Sequence, residues 1–102
     1  MTRQELTYQV KETVKRFDPA ARVILFGSRA RGNFGKYSDW DFLILTSLNA
    51  DEYLKRQIRS ELIETELNAE EVISTLIFSE SLWDDYFLTP LYENISKEGI
   101  EI

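Results

Sequence analysis

The 102-residue chain has no cysteine and no histidine, two prolines, four glycines and one methionine. The first two absences exclude disulfide frameworks, the familiar Cys/His zinc sites and nucleophiles paired with histidine. No apolar run approaches the roughly 20 residues needed to span a bilayer. The opening Met1-Thr2-Arg3-Gln4-Glu5 lacks the cationic and apolar regions of a secretory signal. With no cysteine to oxidise, a cytoplasmic location is the expectation. A basic surplus is missing too. The net charge is −6, whereas a protein that tracks nucleic acid is normally basic, so general nucleic-acid binding is not expected. There is also no internal repeat, low-complexity segment or linker, and residues 1–102 read as a single small domain.

Against these absences, three of the four glycines fall within nine residues, Gly27, Gly32 and Gly35. They lie in the stretch Gly27-Ser28-Arg29-Ala30-Arg31-Gly32-Asn33-Phe34-Gly35-Lys36-Tyr37-Ser38-Asp39-Trp40-Asp41. Val23-Ile24-Leu25-Phe26 leads in as a short apolar strand ended by glycine. Gly27 permits a sharp turn and a close ligand approach. Ser28 opens a short Ser-Arg-Ala-Arg helical turn, whose free N–H groups favour phosphate. Arg29 and Arg31 can add charge-assisted hydrogen bonds. The linker Asn33 to Ser38 is polar and reads as mobile without ligand.

Asp39 and Asp41 open the next strand. Period two puts both carboxylates on one face, with Cα atoms about 6.5–7 Å apart, and Trp40 on the other. Phe42 and Ile44 continue the Trp40 face, and Leu43 and Leu45 the aspartate face, as in a central strand. Two acids at the rim of a core repel unless a cation joins them. Mg²⁺ suits oxygen ligands and is often held by one or two carboxylates plus substrate phosphates. A second ion could activate an attacking oxygen while the first steadies a leaving diphosphate. Gly27 to Gly32 has the spacing of a Walker A start, but Asn33-Phe34 stands where Lys-Ser/Thr is required.

The rest of the chain frames this stretch. Thr2 and Glu5 fit a capping box, and Leu6, Val10, Val14 and Phe17 give one helical face before Asp18-Pro19 stops it. Asn49-Ala50-Asp51-Glu52 starts a second helix, with a stripe of Leu54, Ile58 and Leu62 to about Leu67. Val72 to Phe78 reads as a third strand. Ser79 to Asp85 reads as a turn or short helix with Ser81 as cap, followed by an aromatic cluster of Trp83, Tyr86, Phe87 and Leu88. Thr89-Pro90 opens a last helix, and Gly99 sits where a C-terminal glycine cap belongs. Ile100-Glu101-Ile102 is a short edge strand or a frayed end. The expected fold class is α/β: a small mixed β-sheet of three to five strands. Its helices lie mainly on one side, the first, the Asn49–Leu67 and the Pro90–Lys97 helices among them, and a nucleotide cleft lies on the other.

Gly27-Ser28, Ala30-Arg31-Gly32 and Ser38-Asp39-Trp40-Asp41-Phe42, with the Lys97-Glu98-Gly99-Ile100 ending, resemble the polymerase-beta-like nucleotidyltransferase superfamily. The resemblance is to its minimal nucleotidyltransferase members in particular. It implies that Gly27 and Ser28, with Arg29, Arg31 and Ser38 beside them, contact a nucleoside triphosphate such as ATP. It implies that Asp39 and Asp41 bind magnesium and carry the catalysis. It further implies transfer of AMP to an acceptor, with a HEPN-domain toxin as candidate partner. The family's third metal-site carboxylate falls within Val72-Ile73-Ser74-Thr75-Leu76-Ile77-Phe78, where this chain has Ser74 or Thr75; Glu70 and Glu71 stand just before it. The alternative is therefore a non-catalytic nucleotide-binding or toxin-binding module.

Overall fold

The computed structural model describes residues 1–102, the whole chain. Helix α1 spans Arg3–Phe17. The Thr2 hydroxyl accepts from the Glu5 N–H, and the Glu5 carboxylate accepts from the Thr2 N–H, closing the capping box. Next come β1 (Arg22–Phe26), α2 (Ser28–Arg31), β2 (Trp40–Thr46), α3 (Glu52–Ala69) and β3 (Ile73–Ser79). The chain ends with α4 (Glu80–Trp83), a 3₁₀ turn over Asp84–Tyr86, α5 (Pro90–Glu98) and β4 (Ile100–Glu101). No helix is long and apolar enough to cross a membrane.

The four strands form one mixed sheet in the order β3-β2-β1-β4. β1 runs antiparallel to β2 and β4, while β2 and β3 are parallel, with α3 as the connection. β2 is central and apolar on both faces. Phe42 and Ile44 join Val23 and Leu25 under α1 and α3, which contribute Leu6, Val10, Val14, Ile58 and Leu62. Truncating Leu6 or Leu62 to alanine in this layer should cost about 2–5 kcal/mol. Leu43 and Leu45 face the other way, toward Trp83 and Ile95.

That second layer corrects one expectation. The Pro90–Lys97 segment does not lie with the first two helices. α5 sends Ile95 onto the opposite face. With α1 and α3 already filling one side, Leu43 and Leu45 must be covered by the remaining apolar chain, and α4, the 3₁₀ turn and α5 supply it. The two long helices still lie together on one side.

Four smaller details have local causes. α3 is capped by Asp51, whose carboxylate accepts from the Leu54 N–H. It runs on to Ala69, until Glu70 adopts a left-handed φ of 54°. Ser79, rather than Ser81, caps α4, and its hydroxyl bridges the Ala50 N–H and the Leu48 carbonyl. Gly99 ends α5 with an ordinary φ of −65°. It is glycine because a Cβ there would stand 2.5 Å from the Ile95 carbonyl oxygen and 2.7 Å from Ile24 Cγ2. The chain end is a paired edge strand, with Ile100 beside Leu25 and Glu101 beside Ile24.

Candidate active site

β1 ends at Phe26, directly across from Asp41 at the mouth of β2. The chain then bends at Gly27 with φ 76° and ψ −161°, a region essentially reserved for glycine. A Cβ on Gly27 would overlap Asp41 Oδ2 and lie 3.2 Å from its carboxyl carbon. The carboxylate thus rests on the bare bend. Burial, and then the charge of Asp39, raise the Asp41 carboxyl above its ordinary range, while Arg31 pulls it partly back. The two acids and Arg31 therefore share one field. Asp39 is exposed and Asp41 half-buried. A cation shared between these carboxylates would relieve both the burial cost and the repulsion, so the donor set fits a divalent ion.

The register also places the third position. Ser74 lies beside Asp41 across the parallel pair, on the face that Leu76 and Phe78 share with Leu43 and Leu45. Thr75 alternates away, and its hydroxyl accepts from Arg59 Nε at 3.2 Å. Glu71 pairs with Arg29 at 3.6 Å, and Glu70 is exposed at the end of α3. No group of three acids gathers around one point.

The two arginines of α2 separate. Arg29 is buried on the Trp40 side of the sheet, away from Asp41. Its guanidinium carbon lies 4.4 Å from the Phe34 ring centre and 4.5 Å from that of Trp40. Its Nε and Nη2 both donate to the Ser38 carbonyl, at 3.3 and 3.0 Å. This pins the linker expected to be mobile. The Gly35 N–H donates to Ser38 Oγ at 2.9 Å, and the Ser38 N–H returns to the Gly35 carbonyl at 3.2 Å. Ser38 thereby closes the loop that ends at Asp39. Lys36 and Tyr37 remain exposed at its tip.

Arg31 points to the Asp41 side. Its Nη1 donates to both carboxylate oxygens of Glu98 at 3.1 Å, and Glu98 Oε1 also accepts from the Gly27 N–H at 3.3 Å. Within α2, the Ala30 and Arg31 N–H groups close onto the Gly27 carbonyl, and the Gly32 N–H onto that of Ser28. Sequence reasoning noted Glu98 only as part of a matching ending. The missed signal is physical: an acid in the last turn of a helix opposes the dipole, so it needs a partner elsewhere. A cavity of about 240 Å³ lies at the far end of β1, lined in part by Arg22, Trp83, Tyr92 and Glu101. Arg22 is held there by Glu80 and Glu101 at 2.9 and 2.8 Å, away from the bend and the two acids.

The mixed sheet thus opens at its centre on a glycine-serine bend with the Asp41 carboxylate against it. The model of the nucleotidyltransferase domain family matches residues 8–101, and the chain belongs to that family. It is similar in fold to a toxin-antitoxin crystal structure with AMP-PNP, at 15% identity and a TM-score of 0.64, over 92% of this chain and 69% of that one. A mutant of the toxin-antitoxin MntA-HpeT is similar at 15% identity and a TM-score of 0.62, over 94% and 70%. No curated protein matches the chain.

Proposed function

We propose that this chain is a magnesium-dependent nucleotidyltransferase that moves AMP from ATP to an acceptor, with a HEPN-domain toxin as the candidate acceptor in the cytoplasm. The observation that carries the reading is the Asp41 carboxylate lying on the Gly27 bend with Asp39 beside it. Asp39 and Asp41 would hold Mg²⁺, which when bound supplies charge neutralisation along the phosphate chain. Gly27 and Ser28 receive the β- and γ-phosphates. Arg31 stabilises the negative charge that grows on the leaving diphosphate. Arg29 acts at one remove: by gripping the Ser38 carbonyl it sets where Asp39 emerges. In the reaction an acceptor oxygen bonds to the α-phosphorus and loses its proton, the bond from that phosphorus to the β-bridging oxygen breaks, and diphosphate departs.

The family likeness, together with the toxin-antitoxin structures of the same fold, supports a toxin as the partner.

Ser74 beside Asp41 favours a second reading, a nucleotide-binding or toxin-binding module that no longer turns over. One experiment separates the two. The protein is incubated with α-labelled ATP, Mg²⁺ and candidate acceptor proteins, beside an Asp39→Asn/Asp41→Asn control and Ser74→Asp. Label transferred by the native chain and lost in the double variant supports the enzyme. Transfer that persists in the double variant overturns the site. Binding without transfer, with transfer gained in Ser74→Asp, supports the second reading.

A further inference from the structure

Glu98 is the acid that the proposed reaction leaves unused. Its side chain is 21% exposed, and its contacts at the bend are the Gly27 N–H and the Arg31 guanidinium. Those are two of the groups assigned above to the phosphate chain. The acid is brought there by a fixed backbone. Gly99 packs without a Cβ against Ile24, β4 pairs with β1 through Ile100 and Glu101, and the Ile102 N–H donates to the Val23 carbonyl at 3.0 Å. The β1–β4 pairing beside Gly27 therefore also positions the carboxylate that covers it.

We propose that Glu98 is a resident anion that holds the place of the triphosphate on Gly27 and Arg31 and is displaced when nucleotide binds, so that it sets nucleotide affinity. The inference rests on the reading of the bend as a nucleotide site. Glu98 holds the Arg31 guanidinium directly, while Asp41 feels its charge, and a triphosphate entering with its metal competes with Glu98 for that cation. The displaced pair is weak. The Arg31 side chain is 45% exposed, and exposed ion pairs contribute little. The resident carboxylate therefore lowers affinity only about two- to fivefold, which leaves it displaceable by phosphate.

The test is titration calorimetry of the full chain with ATP and with inorganic tripolyphosphate, both with Mg²⁺. The proteins are the native chain, Glu98→Gln, Glu98→Ala, Arg31→Ala and Arg31→Ala/Glu98→Gln, with thermal melts to establish folding. Gln keeps an acceptor for the Gly27 N–H and removes the charge. Glu98→Gln is expected to bind both probes about two- to fivefold tighter, and the gain is expected to vanish on the Arg31→Ala background. Equal gains for the two probes locate the competition at the phosphate chain. Should Glu98→Gln misfold, Glu98→Ala is read instead. Binding by the native chain with no gain, or weaker binding, in the folded variant overturns this inference alone, since Glu98 would then be orienting Arg31. Failure of every protein to bind either probe overturns the nucleotide site together with it.

Discussion

Gly27→Ala adds one methyl group at the point where the bend and the acid pair meet. Two penalties follow from the geometry. The first is backbone strain. A φ of 76° with a ψ of −161° costs a non-glycine residue about 1–3 kcal/mol. The second is crowding, because the new Cβ overlaps the Asp41 carboxylate, and overpacking typically adds about 1–3 kcal/mol. Asp41 can relieve part of the overlap only by swinging away, which separates it from Asp39. A net loss of about 2–4 kcal/mol is expected. In a domain of this size that lowers the melting temperature by roughly 10–20 °C, and the Mg²⁺-dependent ATP binding proposed above should be lost as well. The other glycines of the stretch supply the controls. Gly32 has a φ of 87° but nothing within 4 Å of its ideal Cβ, so Gly32→Ala should cost only about 1–2 kcal/mol and leave Asp41 in place. Gly35 would meet only Ser38 Oγ at 4.0 Å, and Gly35→Ala should lie within about 0.5 kcal/mol of the native chain. Scanning calorimetry and ATP titration of the three variants give the order directly. If Gly27→Ala melts with Gly35→Ala, or binds Mg²⁺ and ATP as the native chain does, the reasoning from the bend fails.

Arg29→Lys should destabilise the domain by about 2–3 kcal/mol, because a lysine cannot make the forked contact to Ser38 or lie flat between two rings. Trypsin should then cut faster at Lys36, and an unchanged cleavage rate would contradict the pinned loop. The buried Asp18 accepts from four donors, the Ala20 and Ser47 N–H groups and the Thr46 and Ser47 hydroxyls. Burial raises its carboxyl, but these hydrogen bonds outweigh it and leave the group below the usual 3.8. Its contribution is therefore fully present above pH 3.8 and is lost as pH falls through the lowered folded value. Asp18→Asn should cost about 1–3 kcal/mol at neutral pH, and the gap in urea midpoint should close on acidification below pH 4. A gap independent of pH would assign the effect to packing. Ala21→Asp, at a position 1% exposed against the α1–α3 face, should prevent folding, since an unpaired buried charge has no compensating partner. Circular dichroism checks this, and a native spectrum would contradict the layer assignment.

The sequence made some of these features readable because they are local. Thr2 and Glu5 lie three residues apart and satisfy each other within one turn. The alternation from Trp40 to Leu45 states which residues share a face, and with it that Asp41 continues the Leu43 side. Other features depend on where distant pieces meet. The apolar positions of α5 declare that the helix packs, but not against which face. That choice was made by competition, once α1 and α3 had filled the first side. Asp18 reads as a helix stop, and its bonds to Thr46 and Ser47 arise only when α1 docks on the sheet. Arg29 and Arg31 were read as a pair, yet residues two apart on a helix point about 200° from one another, so a four-residue turn was bound to send them to opposite sides. That separation was present in the spacing. That Phe34 and Trp40 would sandwich one of them was not.

The Arg29 clamp has a consequence for the thermodynamics of ligand capture. Through Ser38 and Glu71 one guanidinium fastens the approaches to both β2 and β3. The rim is therefore assembled during folding, before any guest arrives. The nucleotide proposed for this site would not need to freeze a floppy segment as it docks, and the ordering penalty of roughly 0.5–1.5 kcal/mol per immobilised side chain would fall outside the association step. Binding there should accordingly show a modest heat-capacity change, without the large signature that accompanies coupled folding.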